Sequence, residues 1–211
     1  MNPTQTNDPL PVAVLLSGSG TTLQNLIDHI AAGTLPIRIV QVIASKQGVK
    51  GIDRAKAAGL PEEVIERKAF PSSQAFSERN LDVIRRSGAR LVCLAGYLQL
   101  LQIPADYHHR VINIHPALLP AFGGKGMYGH HVHEAVLAYG AKVSGCTVHF
   151  ADNEFDHGPV ILQRVVDVKP TDTPDTLAAR VFEAECEAYP EAIRAFAEGR
   201  IHLNGRLATI R

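Results

Sequence analysis

Val12-Ala13-Val14-Leu15-Leu16-Ser17-Gly18-Ser19-Gly20-Thr21-Thr22-Leu23-Gln24-Asn25-Leu26-Ile27 is the stretch that decides the fold class. Val12 to Leu16 is a short apolar run, and a turn rich in glycine and hydroxyl side chains follows at once. Leu23, Leu26, Ile27 and Ile30 then fall at i, i+3, i+4 and i+7, the stripe of an amphipathic helix. Strand, glycine turn and helix in that order open an α/β unit. Downstream, Arg38 to Ala44 is β-branched and reads as a second strand, Gly51 to Ala58 as a short helix, and Glu63-Val64-Ile65 as a short strand. Ser72 or Ser73 caps a helix carrying Phe76, Val83 and Ile84, which yields near Gly88 to the strand Leu91 to Leu94. A further helix around Pro104 to His109 leads into Val111-Ile112-Asn113-Ile114-His115. Near-continuous apolar strands separated by helices predict a parallel sheet covered on both faces.

Beyond that point the pattern changes. Pro116 to Gly129 is loop-like, and Val132 to Tyr139 is helical. Gly145 to Ala151 and Pro159 to Val168 read as a hairpin or bulged pair appended to the sheet. The last helix begins near Thr173 with Pro174 in its first turn, carries Leu177, Val181, Ala184 and Ala188 as its stripe, and is expected to kink at Pro190. The predicted architecture is α/β, a mostly parallel central sheet flanked by helices with an antiparallel C-terminal part. It forms one domain over residues 12–203, between an N-terminal tail, 1–11, and a C-terminal tail, 204–211.

Composition narrows the function classes. The 211 residues carry 21 Lys+Arg against 21 Asp+Glu, a formal charge of zero, so no basic excess points to nucleic acid or an anionic membrane surface. The polar start lacks the pattern of a secretory signal, and no apolar run approaches the roughly 20 residues of a membrane helix, so a cytoplasmic protein is expected. Cys93, Cys146 and Cys186 show no CxxC spacing and read as buried free thiols.

Three groups of residues could carry chemistry. Ser17 to Thr22 suits a small phosphate-binding loop: glycines admit an anion close to the backbone, and the helix start aims N–H groups at it. Leu23 stands where a dinucleotide fingerprint needs a third glycine, and Ser45-Lys46-Gln47 offers no acidic residue, so a nicotinamide cofactor is disfavoured. In Asn113-Ile114-His115-Pro116, strand alternation sends Asn113 and His115 to one face, an amide donor beside a proton-transfer group. Asp156, in Phe155-Asp156-His157-Gly158-Pro159, matters only if the fold brings it beside His115. His130, His131 and His133 read as surface histidines rather than a metal site, and no Gly-x-Ser-x-Gly elbow supports a serine hydrolase.

Taken together, Ser17-Gly18-Ser19-Gly20, Ala95-Gly96-Tyr97-Leu98, Asn113 to Pro120, Gly145 to Phe150, Asp156-His157-Gly158-Pro159 and Tyr189-Pro190 form an ordered set. With it the chain, from Val12 to about Leu203, resembles the glycinamide ribonucleotide formyltransferases, folate-dependent transformylases of purine synthesis. The resemblance implies a Rossmann-like formyltransferase fold with two small-molecule substrates in one cleft, 10-formyltetrahydrofolate as co-substrate, no metal, and a monomer or homodimer without nucleic acid or membrane. It implies catalysis by Asn113, His115 and Asp156, with His149 in support. Gly20, Thr21, Thr22 and Glu185 match ribonucleotide contacts; Leu98, Gln99, Leu100 and Leu101, with Asp152, Asn153, Glu154, Phe155 and Asp156, match segments around the folate pterin. Thr22 stands where the family often has Asn and Gln99 where it often has Arg, and Pro71 to Phe76 holds no basic residue. Phe122 to Gly129 is a longer, glycine-rich version of a mobile loop, and we read its Lys125 as able to meet a phosphate. The rivals are a formyltetrahydrofolate hydrolase, which carries a regulatory domain ahead of this core, a methionyl-tRNA formyltransferase with its added RNA-binding domain, and a catalytically silent module binding a phosphorylated metabolite.

Overall fold

The computed structural model describes residues 8–211. In chain order the elements are β1 (Leu10–Leu16), α1 (Thr21–Ala31), β2 (Ile37–Ala44), α2 (Lys50–Ala57), β3 (Glu62–Val64), α3 (Ser73–Ser87), β4 (Leu91–Leu94) and β5 (Val111–His115). There follow α4 (His130–Tyr139), β6 (Val143–Phe150), β7 (Val160–Asp167), α5 (Pro174–Ala197), β8 (Ile201–Asn204) and β9 (Leu207–Ile210). Seven strands form one sheet in the order β3-β2-β1-β4-β5-β6-β7, and β8 and β9 form a separate antiparallel pair. The first five strands are mutually parallel, whereas β6 runs antiparallel to both β5 and β7. Among the described residues no helix is long and apolar enough to cross a membrane.

Alternation along β1 sends side chains to both faces, which is why the strands read as continuous apolar runs. Val12, Val14 and Leu16 join Leu23 and Leu26 of α1 and Val181, Ala188 and Ile193 of α5 in one core. Ala13 and Leu15 join Phe76, Leu81 and Ile84 of α3 on the other face. Because β1 lies between β2 and β4, the loops leaving β1 and β4 diverge, and a crevice opens at the carboxyl ends of the strands. Tyr189 ties α5 to the sheet. The phenol is fully buried and lies 3.0 Å from Leu94 O and 2.9 Å from Ile112 O, backbone acceptors on β4 and β5.

Helix signals behave as expected at the termini. Ser72 accepts from Ala75 N at the start of α3, and Gly88 closes it in the left-handed conformation. Thr173 and Thr176 form a capping box at the start of α5, with Pro174 in the first turn.

Three expectations are corrected. The expected N-terminal tail falls partly outside the described residues, and its last two positions, Leu10 and Pro11, already belong to β1. The helix expected around 104–109 is a single 3-10 turn, Ala105–Tyr107. The expected tail 204–211 contains β9, whose partner β8 packs with it through Ile201, Leu203, Ala208 and Ile210 onto the main core. Helix α5 runs from 174 to 197 with Pro190 inside it. Proline cannot donate to Cys186 O four residues back, and Asn25 of α1 supplies the missing hydrogen bond from its side-chain amide at 3.0 Å.

Candidate active site

The register of β5 on β6 sets Asn113 opposite His149 and His115 opposite Thr147. Directly opposed residues of antiparallel strands share a face, so the Asn113 amide and the His149 ring meet, Nδ2 to Nε2, at 3.0 Å. His149 Nδ1 lies 2.9 Å from Phe150 O, an acceptor only, so Nδ1 carries the proton and Nε2 accepts from Asn113. Two residues along β5, His115 is 3 % exposed and its Nε2 lies 2.9 Å from Phe122 O.

The loop between β6 and β7 closes the group. Asp156 Oδ1 stands 3.4 Å from Asn113 Nδ2, 3.4 Å from His115 Nδ1 and 3.7 Å from His149 Nε2. Its Oδ2 accepts from Gly124 N at 2.9 Å. Asp156 reaches this position with φ 55°, left-handed backbone that L side chains adopt at a cost and that clusters at functional sites. The sequence left the meeting of Asp156 with His115 open; the structure brings them together. Phe122 O and Gly124 N went unseen in the sequence, because a backbone group leaves no side-chain signature. Gly123 is the nearest to one: a Cβ there would come within 2.5 Å of Leu119 Cδ2 and 3.3 Å of Asp156 Cβ.

Burial pushes the His115 imidazole below its usual pKa, against the upward pull of the Asp156 carboxylate and the Phe122 carbonyl. Burial alone would raise Asp156, but its surroundings, with the Gly124 N–H donating to it, outweigh that and hold the carboxyl below the usual value. The resting pair at neutral pH is therefore a neutral imidazole beside a carboxylate. With Nε2 carrying the proton toward Phe122 O, the Nδ1 lone pair faces Asp156. The pair is one proton short of its best electrostatics.

Asn113 and Asp156 stand on the shared wall of two cavities. The larger, about 510 Å³, is bounded also by Thr22, Leu98, His115, Lys125, His133 and Glu185. The smaller, about 50 Å³, is bounded by Gln99, Leu100, Leu101, His149, Asp152, Glu154 and Phe155. Of the remaining expected residues, Asn153 borders neither; its amide grips Ile103 N and O instead, at 2.6 and 3.3 Å. Burial alone pushes the Glu185 carboxyl up to about 7.

The loop after β1 is held by Ser17, whose Oγ lies 2.6 Å from Ser45 Oγ and accepts from Leu98 N at 2.9 Å. Gly20 begins α1 with φ 70° and offers the first turn no side-chain cap, which leaves N–H groups there for a ligand. The glycine answers to packing as well, since a Cβ would sit 2.5 Å from the Cα of Gly51 in α2. Within Gly20-Thr21-Thr22, Thr22 borders the large cavity, while Thr21 is exposed near Ser19. The surface reading holds for His130 and His131 but is corrected for His133. That ring is 4 % exposed, lines the cavity, and keeps Nδ1 buried without a hydrogen-bond partner among the described residues.

The formyl transferase family model matches residues 10–193. A glycinamide ribonucleotide transformylase 1 of Symbiobacterium toebii superposes with a TM-score of 0.90 at 41 % identity, covering 96 % of this chain and 94 % of that one. Phosphoribosylglycinamide formyltransferase of Haemophilus influenzae is 36 % identical over 93 % of this chain and 92 % of its own length. The trifunctional purine biosynthetic protein adenosine-3 of Bos taurus is 40 % identical over 94 % of this chain, which spans only 20 % of that longer protein.

Proposed function

The chain belongs to the formyl transferase family, and from that premise we propose that it transfers the formyl group of 10-formyltetrahydrofolate to the amine of 5'-phosphoribosylglycinamide. The observation that carries the reading is the shared wall: Asn113 and Asp156 border both cavities, so groups held in the two can meet over them. The ribonucleotide takes the larger cavity, its phosphate at the start of α1 by Gly20, Thr21 and Thr22 and its sugar toward Glu185. The folate ring enters between Leu98–Leu101 and Asp152–Asp156. Both partners are small molecules, in keeping with the zero net charge. We assign the chain to the cytoplasm, as a monomer or homodimer.

In this reading the uncharged amine attacks the formyl carbon, forming a C–N bond and a tetrahedral oxyanion. Asn113 has one N–H committed to His149; the other, at a long 3.4 Å from Asp156, turns to the developing oxygen. The amine's proton passes to the neutral His115. There the imidazolium finds Phe122 O at one nitrogen and Asp156 at the other, so the missing proton is supplied by the reaction itself. It then moves to N10 as the bond from the formyl carbon to N10 breaks. The step needs no metal.

Absorbance-monitored release of free folate from a 10-formylfolate donor, with and without the ribonucleotide, tests the proposal. Release should require the ribonucleotide and fall by roughly 100- to 1,000-fold in Asn113→Ala, the scale set by loss of one oxyanion donor, and by roughly 100- to 10,000-fold in His115→Ala, the scale of one lost acid–base group. Release without it would make the chain a hydrolase. No release, with the ribonucleotide bound, would leave a silent binding module.

A further inference from the structure

The C-terminal hairpin of β8 and β9 has no part in the reaction drawn above, yet its turn touches the loop that carries Asp156. Arg206, in that turn, donates from Nη2 to His157 O, and its Nη1 lies 3.4 Å from His157 Nε2. On its far side the His157 ring places Nδ1 2.7 Å from Asp152 Oδ2. Asp152 in turn accepts from Glu154 N through Oδ1 at 2.9 Å. The polarities agree along the chain: the carboxylate takes the Nδ1 proton, so the Nε2 lone pair is left for the guanidinium. Carboxylate, imidazole and guanidinium thus strap the loop across both flanks of Asp156. The hairpin gives the strap a fixed base, since Ile201, Leu203, Ala208 and Ile210 pack on the main core.

Asp156 needs such a strap. Its left-handed backbone is a conformation that persists only where the surroundings over-determine it. Gly124 N holds its carboxylate from the opposite side but does nothing for the chain that follows it. We infer that Arg206 is a positioning residue, acting through His157 to hold the Asp156 carboxylate at its distance from His115 and Asn113. The inference rests on the formyl-transfer reading for its consequence in rate, but not for its geometry.

Two measurements on the full-length protein decide it. In Arg206→Ala, kcat for ribonucleotide-dependent folate release should fall about 5- to 20-fold, the effect of one misaligned charge-assisted hydrogen bond, with the KM for the ribonucleotide and the melting temperature unchanged. Arg206→Lys should recover most of the loss, and in an Asp156→Asn background Arg206→Ala should cost nothing further. The second measurement needs no turnover. Followed by NMR, the His115 imidazole should titrate lower in Arg206→Ala, because a loosened Asp156 no longer pulls it upward. An unchanged kcat in an active protein, an equal loss in the Asp156→Asn background, or an unmoved His115 titration overturns the inference. A wild type without ribonucleotide-dependent release sinks the formyl-transfer reading alone, and the titration still decides Arg206.

Discussion

Because Phe122 O claims one nitrogen of His115, the other meets Asp156 with or without a proton, and pH decides which. The His115 pKa is depressed from 6.5, so turnover that requires the neutral ring should have its acid limb below pH 6.5. Asp156 is one of the groups pulling that value up; Asp156→Asn should move the limb further down while cutting the rate, which a pH–rate profile of both proteins reads directly. Stability follows the same sign. Both His115 and Asp156 have depressed folded values, so their contributions are present above the unfolded values, 6.5 and 3.8, and are lost as pH falls through the folded ones. Glu185 runs the other way. Its pKa is raised from 4.5 to about 7, so the stability associated with it is intact below pH 4.5 and lost as pH rises through about 7. Glu185→Gln should therefore raise the melting temperature at pH 8, leave it unchanged at pH 4, and weaken ribonucleotide binding. A melting temperature that rises equally at both pH values would mean the carboxyl is not strained by burial.

Elements marked by a periodic apolar pattern and a capping residue were legible in the sequence, β1 through β5 and α5 above all. The hairpin of β8 and β9 was not. Its strands span four residues each, and Arg206 and Leu207 at its turn are exposed, so it reads as a frayed end until the core beneath it is known. The same limit governs the site. Asn113 and His115 share a strand, and alternation alone puts them together; Asp156 arrives on a loop through a tertiary contact that no spacing encodes. His133 was misjudged because its neighbours His130 and His131 are exposed, and one buried helix position among three histidines has no separate signal. Pro190 shows one element completing another. An interior proline leaves the carbonyl four residues back without its helical donor, and Asn25 supplies one. Asn25→Ala should cost about 1 kcal/mol in urea unfolding, the net worth of one such bond. In a Pro190→Ala background, where residue 190 regains its N–H, the same change should cost much less. Equal costs in both backgrounds would show that Asn25 acts through something other than that carbonyl.

At the scale of the whole molecule, the topology puts two cavities on either side of one wall made by Tyr97, Asn113, Phe155 and Asp156, and that arrangement constrains the order of chemical events. A covalent route would pass the formyl group to the protein before the ribonucleotide arrives. It would need a nucleophile on the shared wall. The thiols of Cys93 and Cys146 are both buried, and desolvation pushes each up to about 12, so neither offers a thiolate at neutral pH. Neither they nor Cys186 border either cavity. Direct transfer instead needs both substrates present together over Asn113 and Asp156. Initial rates measured across a grid of both substrate concentrations should give intersecting double-reciprocal lines, and the protein incubated with the formyl donor alone should gain no formyl mass. Parallel lines, or a formylated protein that goes on to formylate the ribonucleotide, would mean that the two cavities are used in turn and that the shared wall is not where the transfer occurs.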